Sequence, residues 1–171
     1  LDPECAVTAA GSAALRRMQP AGFAIDVSHL NDRCFGEVAA ATDAPLVASH
    51  SNSRTVCSAP RNLTDAQFDC IRERGGLVGL NFYNGFLREE GEADFDDISR
   101  HIDRWLERGG EDVLALGSDF DGCDTPRCIA SAADMPAFQN LLRARFGETI
   151  TAKLCGLNAL RFFSRRIPAT L

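Results

Sequence analysis

The sequence is sparing with the residues that most often build metal and catalytic sites: its 171 residues include three histidines, one tryptophan and one tyrosine. Its seven cysteines form no CxxC pair, and the two nearest, Cys123 and Cys128, flank a proline-containing loop. A structural zinc site takes four ligands, usually as two close pairs, so none is expected here. An odd number of scattered cysteines suits reduced, mostly buried thiols in a cytoplasmic-type protein better than a disulfide framework. No apolar run approaches the ~20 residues that cross a bilayer, and no basic segment followed by an apolar run marks a signal peptide. Because residue 1 is Leu, an upstream targeting segment is left open. A net charge of -6, with the basic residues scattered, argues against nucleic acid or an anionic membrane surface as a partner.

What is present is ordinary for a soluble globular domain: 45% hydrophobic and 25% charged residues, in a chain long enough to bury one core. Short apolar runs at Phe23–Val27, Leu46–Ala48, Leu77–Phe82 and Val113–Leu116 have strand length. Between and around them lie helical segments: Thr8–Gln19, Asn31–Thr42, Thr64–Arg74 and Phe95–Arg108, with two more near Met135–Phe146 and Thr149–Phe163. Strands and helices alternate three times. The strand runs are continuously apolar, as strands covered on both faces are. This is the pattern of a parallel sheet with right-handed crossovers, an α/β fold.

The polar residues fall at informative places. Each apolar run ends in side chains capable of chemistry: Ser28-His29, Ser49-His50, Tyr83-Asn84-Gly85 and Ser118-Asp119-Phe120-Asp121-Gly122. Ligands of parallel α/β folds bind outside the carboxyl ends of the strands. Histidines on adjacent tips can converge on one metal, and imidazole suits zinc. Asp119 would share that rim and move a proton, and Arg61 can clamp a carboxylate through two hydrogen bonds. The plainer readings stand beside these. A single histidine after a strand is more often a hydrogen-bonded structural residue. Asp119 and Asp121 can serve a turn, and Arg61 can be a solvated cation. His101, inside a helical segment, reads as a packing or capping residue. Asp26, within a strand, needs a partner if it is buried, and the sequence names none.

Several segments together resemble the membrane (renal) dipeptidase family of zinc metallopeptidases. They are Ile25-Asp-Val-Ser-His29 with Leu30-Asn-Asp32, Pro45-Leu-Val-Ala-Ser-His-Ser51, Arg61-Asn-Leu-Thr-Asp65, Asn81-Phe-Tyr-Asn84, Gly117-Ser-Asp-Phe-Asp-Gly122 and Asn158-Ala-Leu-Arg-Phe-Phe163. The likeness runs in order from about Thr8 to Phe163. It implies that residues 1–171 form a single partial domain: the parallel βα units of strands five to eight, the C-terminal half of a (β/α)8 TIM-type barrel of the metal-dependent hydrolase superfamily. It also implies zinc-dependent hydrolysis of dipeptides at a binuclear zinc centre, by metal-activated water. His29 and His50 would bind one zinc, Arg61 would take the substrate's terminal carboxylate, Asp119 would transfer a proton and Tyr83 would line the pocket.

The family's remaining ligands have no counterpart here. The one H-x-D, His101-Ile-Asp103, falls in a predicted helix, and no glutamate ends a predicted strand. The expected partners are therefore a dipeptide and either the missing N-terminal half-barrel or a second copy of the chain. A truncated, non-catalytic half-barrel that self-associates is the alternative. A metal-free barrel enzyme using histidine acid–base chemistry would account for the histidines but not for the set of motifs.

Overall fold

Four short strands form one sheet: β1 (Ile25–Asp26), β2 (Leu46–Ala48), β3 (Leu77–Leu80) and β4 (Leu114–Leu116). They pair in chain order, and every pairing is parallel. This computed structural model describes residues 4–165; the ends of the expected domain, 1–3 and 166–171, lie outside the described residues. Parallel neighbours need a crossover. It is supplied by α2 (Asp32–Ala41) between β1 and β2, by α3 (Asp65–Glu73) between β2 and β3, and between β3 and β4 by the short α4 (Asn84–Leu87) with α5 (Phe95–Glu107). Before β1 lies α1 (Ala9–Met18); after β4 come α6 (Met135–Ala152) and α7 (Asn158–Ser164).

The helices begin where the sequence offers a cap. Thr8 and Asn31 each accept a hydrogen bond from a backbone N–H in the first turn. Thr64 with Gln67, and Asp94 with Asp97, form reciprocal capping boxes. Such caps satisfy N–H groups that have no partner within the helix.

Alternation along the strands sorts the core into two faces. Leu46, Ala48, Val78, Leu80 and Leu114 point to the helical layer, where they join Phe35, Phe68, Ile98, Trp105 and Phe138. There the Phe68 and Trp105 rings stack with centroids 4.0 Å apart. Val47, Leu77 and Ala115 point the other way and are met by Phe162 of α7. Thus α7 folds back across the sheet and covers part of the face that would otherwise line a barrel.

The structure departs from the sequence reading in several places. β1 is shorter than Phe23–Val27, and Phe23 is 62% exposed. β1 is an edge strand, laddered to β2 alone, so little holds its first residues in the sheet. Past Tyr83-Asn84-Gly85, read as the polar end of the third strand, Asn84–Leu87 forms a helical turn. The two expected C-terminal helices meet at Gly147, whose φ of 78° and ψ of 170° break the helix, and a π turn at Lys153–Leu157 separates α6 from α7. The cysteines are all free, but Cys57 alone is buried and Cys5 is exposed. The other five are partly buried, and Cys70, Cys128 and Cys155 pack against the core from its margin.

His101 is fully buried on α5. Its Nδ1 accepts from the Ser53 backbone N–H at 3.1 Å, which leaves Nε2 to donate to the Leu87 carbonyl at 3.0 Å. The imidazole therefore ties the loop after β2 to the end of α4, while Asp103 of the same H-x-D faces outward to Arg145 at 2.6 Å. Burial pushes the His101 pKa down to about 4. The unfolded chain takes up this proton near pH 6.5 and the folded chain only near pH 4, so stability is lost as pH falls through that window. Between pH 7.5 and pH 5.0 this residue is expected to remove about 2 kcal/mol. Urea unfolding of the wild type and of His101→Gln at both pH values checks it: the variant should be weaker at pH 7.5 but lose less on acidification. Equal acid losses in the two proteins would remove His101 as the cause.

Candidate active site

The carboxyl tips of the strands converge on one cleft of about 560 Å³, lined by His29, Arg61, Tyr83, Phe86, Asp119 and the loop 121–124. Its first wall is made by β1 and β2. His29 follows the β1 tip in a left-handed conformation (φ 72°), a strained setting for a residue with a Cβ. His50 follows the β2 tip. The two Nε2 atoms stand 2.8 Å apart. Nδ1 of His50 is hydrogen-bonded to Ser49 Oγ at 2.8 Å, and the His50 backbone N–H donates to Ser28 Oγ at 3.1 Å. Beneath them the Asp26 carboxylate, on the exposed side of β1, accepts from the backbone N–H groups of Ser28 and Ser49 at 3.0 and 3.1 Å. The partner that Asp26 needed is thus backbone, and it ties the two histidine-bearing tips together.

Arg61 and the aromatic residues form the next wall. The guanidinium carbon of Arg61 lies 5.6 Å from the centre of the Phe86 ring, and Phe86 meets Tyr83 edge to face at 4.8 Å. Asn62 carries the chain beside Arg61 and donates to the carbonyls of Cys57 and Phe86, both at 2.9 Å. Burial pulls the guanidinium pKa below its ordinary value, opposed by Asp119 and Asp26 acting at a distance. An arginine stays protonated regardless, so it offers a partly desolvated cation to the cleft.

Asp119 closes the third side from the β4 tip, again left-handed (φ 60°), and Asp121 repeats this conformation (φ 66°). Asn81 Nδ2 donates to Asp119 Oδ2 at 3.0 Å. For His29, burial lowers the pKa first, and the charges of Arg61 and His50 add to it. A neutral imidazole is the form that binds metal.

The donor set fits a zinc ion in part. Two imidazole nitrogens sharing a tetrahedral zinc at ~2.0–2.1 Å would stand roughly 3.3 Å apart, a small opening from the 2.8 Å seen here. Ser49 already holds the opposite nitrogen of His50, as outer partners of metal-binding histidines do. Catalytic zinc takes about three protein ligands, and among the described residues no group of three or more His, Cys, Asp or Glu is placed to hold a metal. His29 and His50 therefore suit two positions of a site whose other ligands are not among the described residues.

Residues 2–167 match the family described as membrane dipeptidase, peptidase family M19. The chain belongs to that family. A protein of the pqqA 5' region of Klebsiella pneumoniae is 44% identical over 160 residues, 91% of this chain and 59% of its own length. An uncharacterized dipeptidase of Schizosaccharomyces pombe is 30% identical over 170 residues, 95% of this chain and 40% of its own. The crystal structure of a metallopeptidase from Rhodobacter sphaeroides, liganded with a phosphinate mimic of the dipeptide L-Ala-D-Ala, superposes with a TM-score of 0.88 at 41% identity. That superposition covers 93% of this chain and 47% of the other. The chain spans about half the length of these relatives. Its four parallel βα units are accordingly half of the M19 barrel.

All five residues singled out from the sequence, His29, His50, Arg61, Tyr83 and Asp119, reach this one region of the membrane dipeptidase fold: four line the cleft and His50 stands against His29. Sequence reasoning gave no individual role to Asn52, Asn81 or Phe86. Asn81 was read inside the run Leu77–Phe82, whereas β3 ends at Leu80 and leaves Asn81 at the strand tip. No helix among the described residues is long and apolar enough to cross a membrane.

Proposed function

We propose that this chain is the C-terminal half, strands five to eight, of a zinc dipeptidase barrel, with residues 1–171 forming one partial catalytic domain. The observation that carries the reading is the meeting of His29 and His50 Nε2 at 2.8 Å, from adjacent strand tips, beside the cleft that holds Arg61 and Asp119. The bound dipeptide mimic of the Rhodobacter sphaeroides relative supports a dipeptide as substrate class. In this reading His29 and His50 hold one zinc of a binuclear centre. Zinc bound there supplies Lewis acidity and brings the pKa of a water toward neutrality. Arg61 anchors the substrate's terminal carboxylate through paired N–H donors, and Phe86 fixes the plane of the guanidinium. Tyr83 shapes the side of the cleft. Asp119 takes or delivers the proton that the departing amine requires.

The sheet supports a partner as well. Its order leaves β1 and β4 as edges with one neighbour each, and open edges seek pairing. The other half-barrel is the occupant this reading assigns to them, since it would also complete the ligand set. A non-catalytic half-barrel that pairs with a second copy rests on the same edges, but it gives no role to the two histidines and Arg61 in one cleft. Sedimentation of this chain alone as a stable monomer would count against self-association.

Arg61→Ala in the complete protein tests the substrate reading. KM for free dipeptides should rise about 30-fold or more, the scale of a lost charge-assisted pair. KM for the corresponding dipeptide amides, which lack the terminal carboxylate, should change little. An equal rise for both substrates would reject the carboxylate clamp.

A further inference from the structure

Two fully buried asparagines join three strand tips beneath the cleft. Asn52 lies two residues past His50, and Asn81 directly follows β3; each is 0% exposed. The Asn81 backbone N–H donates to Asn52 Oδ1 at 2.9 Å, and Asn52 Nδ2 donates back to the Asn81 carbonyl at 3.0 Å. The Asn81 side chain then reaches out in two directions. Its Oδ1 accepts from the Tyr83 backbone N–H at 2.5 Å, and its Nδ2 donates to Asp119 Oδ2 at 3.0 Å. The orientation of this carboxamide is decided by chemistry. A backbone N–H can only donate, so Oδ1 must face Tyr83 and the NH2 group must face Asp119. The second carboxylate oxygen is confined from the other side: a Cβ on Gly122 would stand 2.5 Å from Asp119 Oδ1.

We propose that Asn81 is a positioning residue for the hydrolytic step: with its backbone held by Asn52 and its carboxamide oriented by the Tyr83 N–H, it holds Asp119 as a hydrogen-bond acceptor facing the cleft. This rests on the dipeptidase reading of the site. The charged and titratable groups that share the cleft with Asp119 are His29 from the β1 tip, Arg61 from the loop after β2, Tyr83 past the β3 tip, and Asp121, Cys123 and Asp124 from its own loop. The hydrogen bond to its carboxylate from the β3 tip comes from the neutral amide donor of Asn81. Exchanging that donor for an acceptor therefore changes the surroundings of Asp119 at one defined oxygen.

Asn81→Asp does this with almost no change of shape, since an oxygen remains for Tyr83 while a second carboxylate faces Asp119. In the complete, metal-loaded protein, kcat for a dipeptide should fall about tenfold or more while KM stays within about twofold. The acid limb of the kcat profile should move up by about one pH unit, because two carboxylates in contact resist ionising together. A purely structural role would lower the rate or the stability without moving that limb, and a superimposable profile overturns the proposal.

Gly122→Ala crowds Asp119 from the opposite side in an exposed loop, where folding is not at stake. It should also depress kcat. In protein labelled with 15N-asparagine, the side-chain amide signals of Asn81 should shift in both Asp119→Asn and Gly122→Ala. Signals that stay in place in both variants overturn the proposal whatever the activity. If the signals shift but the metal-loaded wild type hydrolyses no dipeptide, the dipeptidase reading falls and the Asn81–Asp119 contact stands.

Discussion

Removing the His50 imidazole is expected to lower kcat/KM of the complete protein by about a thousandfold or more, some 4 kcal/mol of transition-state stabilisation. Nε2 of His50 stands 2.8 Å from its counterpart on His29, so alanine leaves one imidazole where two converged. A single histidine from this half is too few donors for zinc, and bound zinc should fall with the rate. His29→Ala should behave alike. Ser49→Ala should be milder: it frees the opposite nitrogen of His50, and outer partners of this kind are worth about 10–100-fold in metal affinity. Zinc content after dialysis, measured alongside dipeptide hydrolysis, reads both quantities. A His50→Ala protein that keeps its full zinc content and its rate would end the assignment of His50 as a ligand.

The second large effect is structural. Gly79, in the middle of β3, and Gly117, just past β4, both lie close to the Ser49 carbonyl, and a Cβ built on either would collide with that oxygen. The obstacle is backbone, so no side-chain rotation relieves it. Gly79→Ala is expected to destabilise by about 3 kcal/mol, the upper end for overpacking. It should also weaken metal binding, because Ser49 immediately precedes His50. Gly36 is the internal control. It lies inside α2 with nothing within 4 Å of its missing Cβ, so Gly36→Ala should be neutral or stabilising by about 0.5–1 kcal/mol. Chemical denaturation of both variants decides the matter. A Gly79→Ala protein within 1 kcal/mol of the wild type would show that the tips can part without cost.

Much of this architecture was legible because β2, β3 and β4 are continuous apolar runs with polar residues at or just past their tips. Leu46–Ala48 followed by Ser49-His50 is the clearest case, and the structure matches its bounds. β1 read too long because Phe23 and Ala24 look like strand residues, yet at the sheet edge Phe23 finds no covering layer and is exposed. Such partners are tertiary facts, absent from any local window. The same reason hid the part of Asp26, whose hydrogen bonds cross to Ser49 on the neighbouring strand. Asn52 and Asn81 escaped for a different reason. Their work is done by carboxamides with both ends engaged, and a sequence does not say whether an asparagine bends its own backbone or bonds to a residue 38 positions away, as Asn81 does to Asp119. The break at Gly147 was readable as a boundary between helices; the π turn at Lys153–Leu157 carries a glycine too, Gly156, whose non-helical backbone interrupts the segment read as one helix, Thr149–Phe163.

The helix-to-strand turns lie at the amino ends of the strands: Gly75-Gly76 leads into β3, and Gly109-Gly110 with its short 3-10 turn leads into β4. The cleft residues lie at the carboxyl ends. What the molecule recognises and how its chain is threaded are thus written into separate stretches of sequence. Side-chain changes at rim positions such as Tyr83 and Asp124 can reshape the cleft away from the turns that lead into the strands. A lineage can explore new substrates there by small steps, each starting from a protein that still folds.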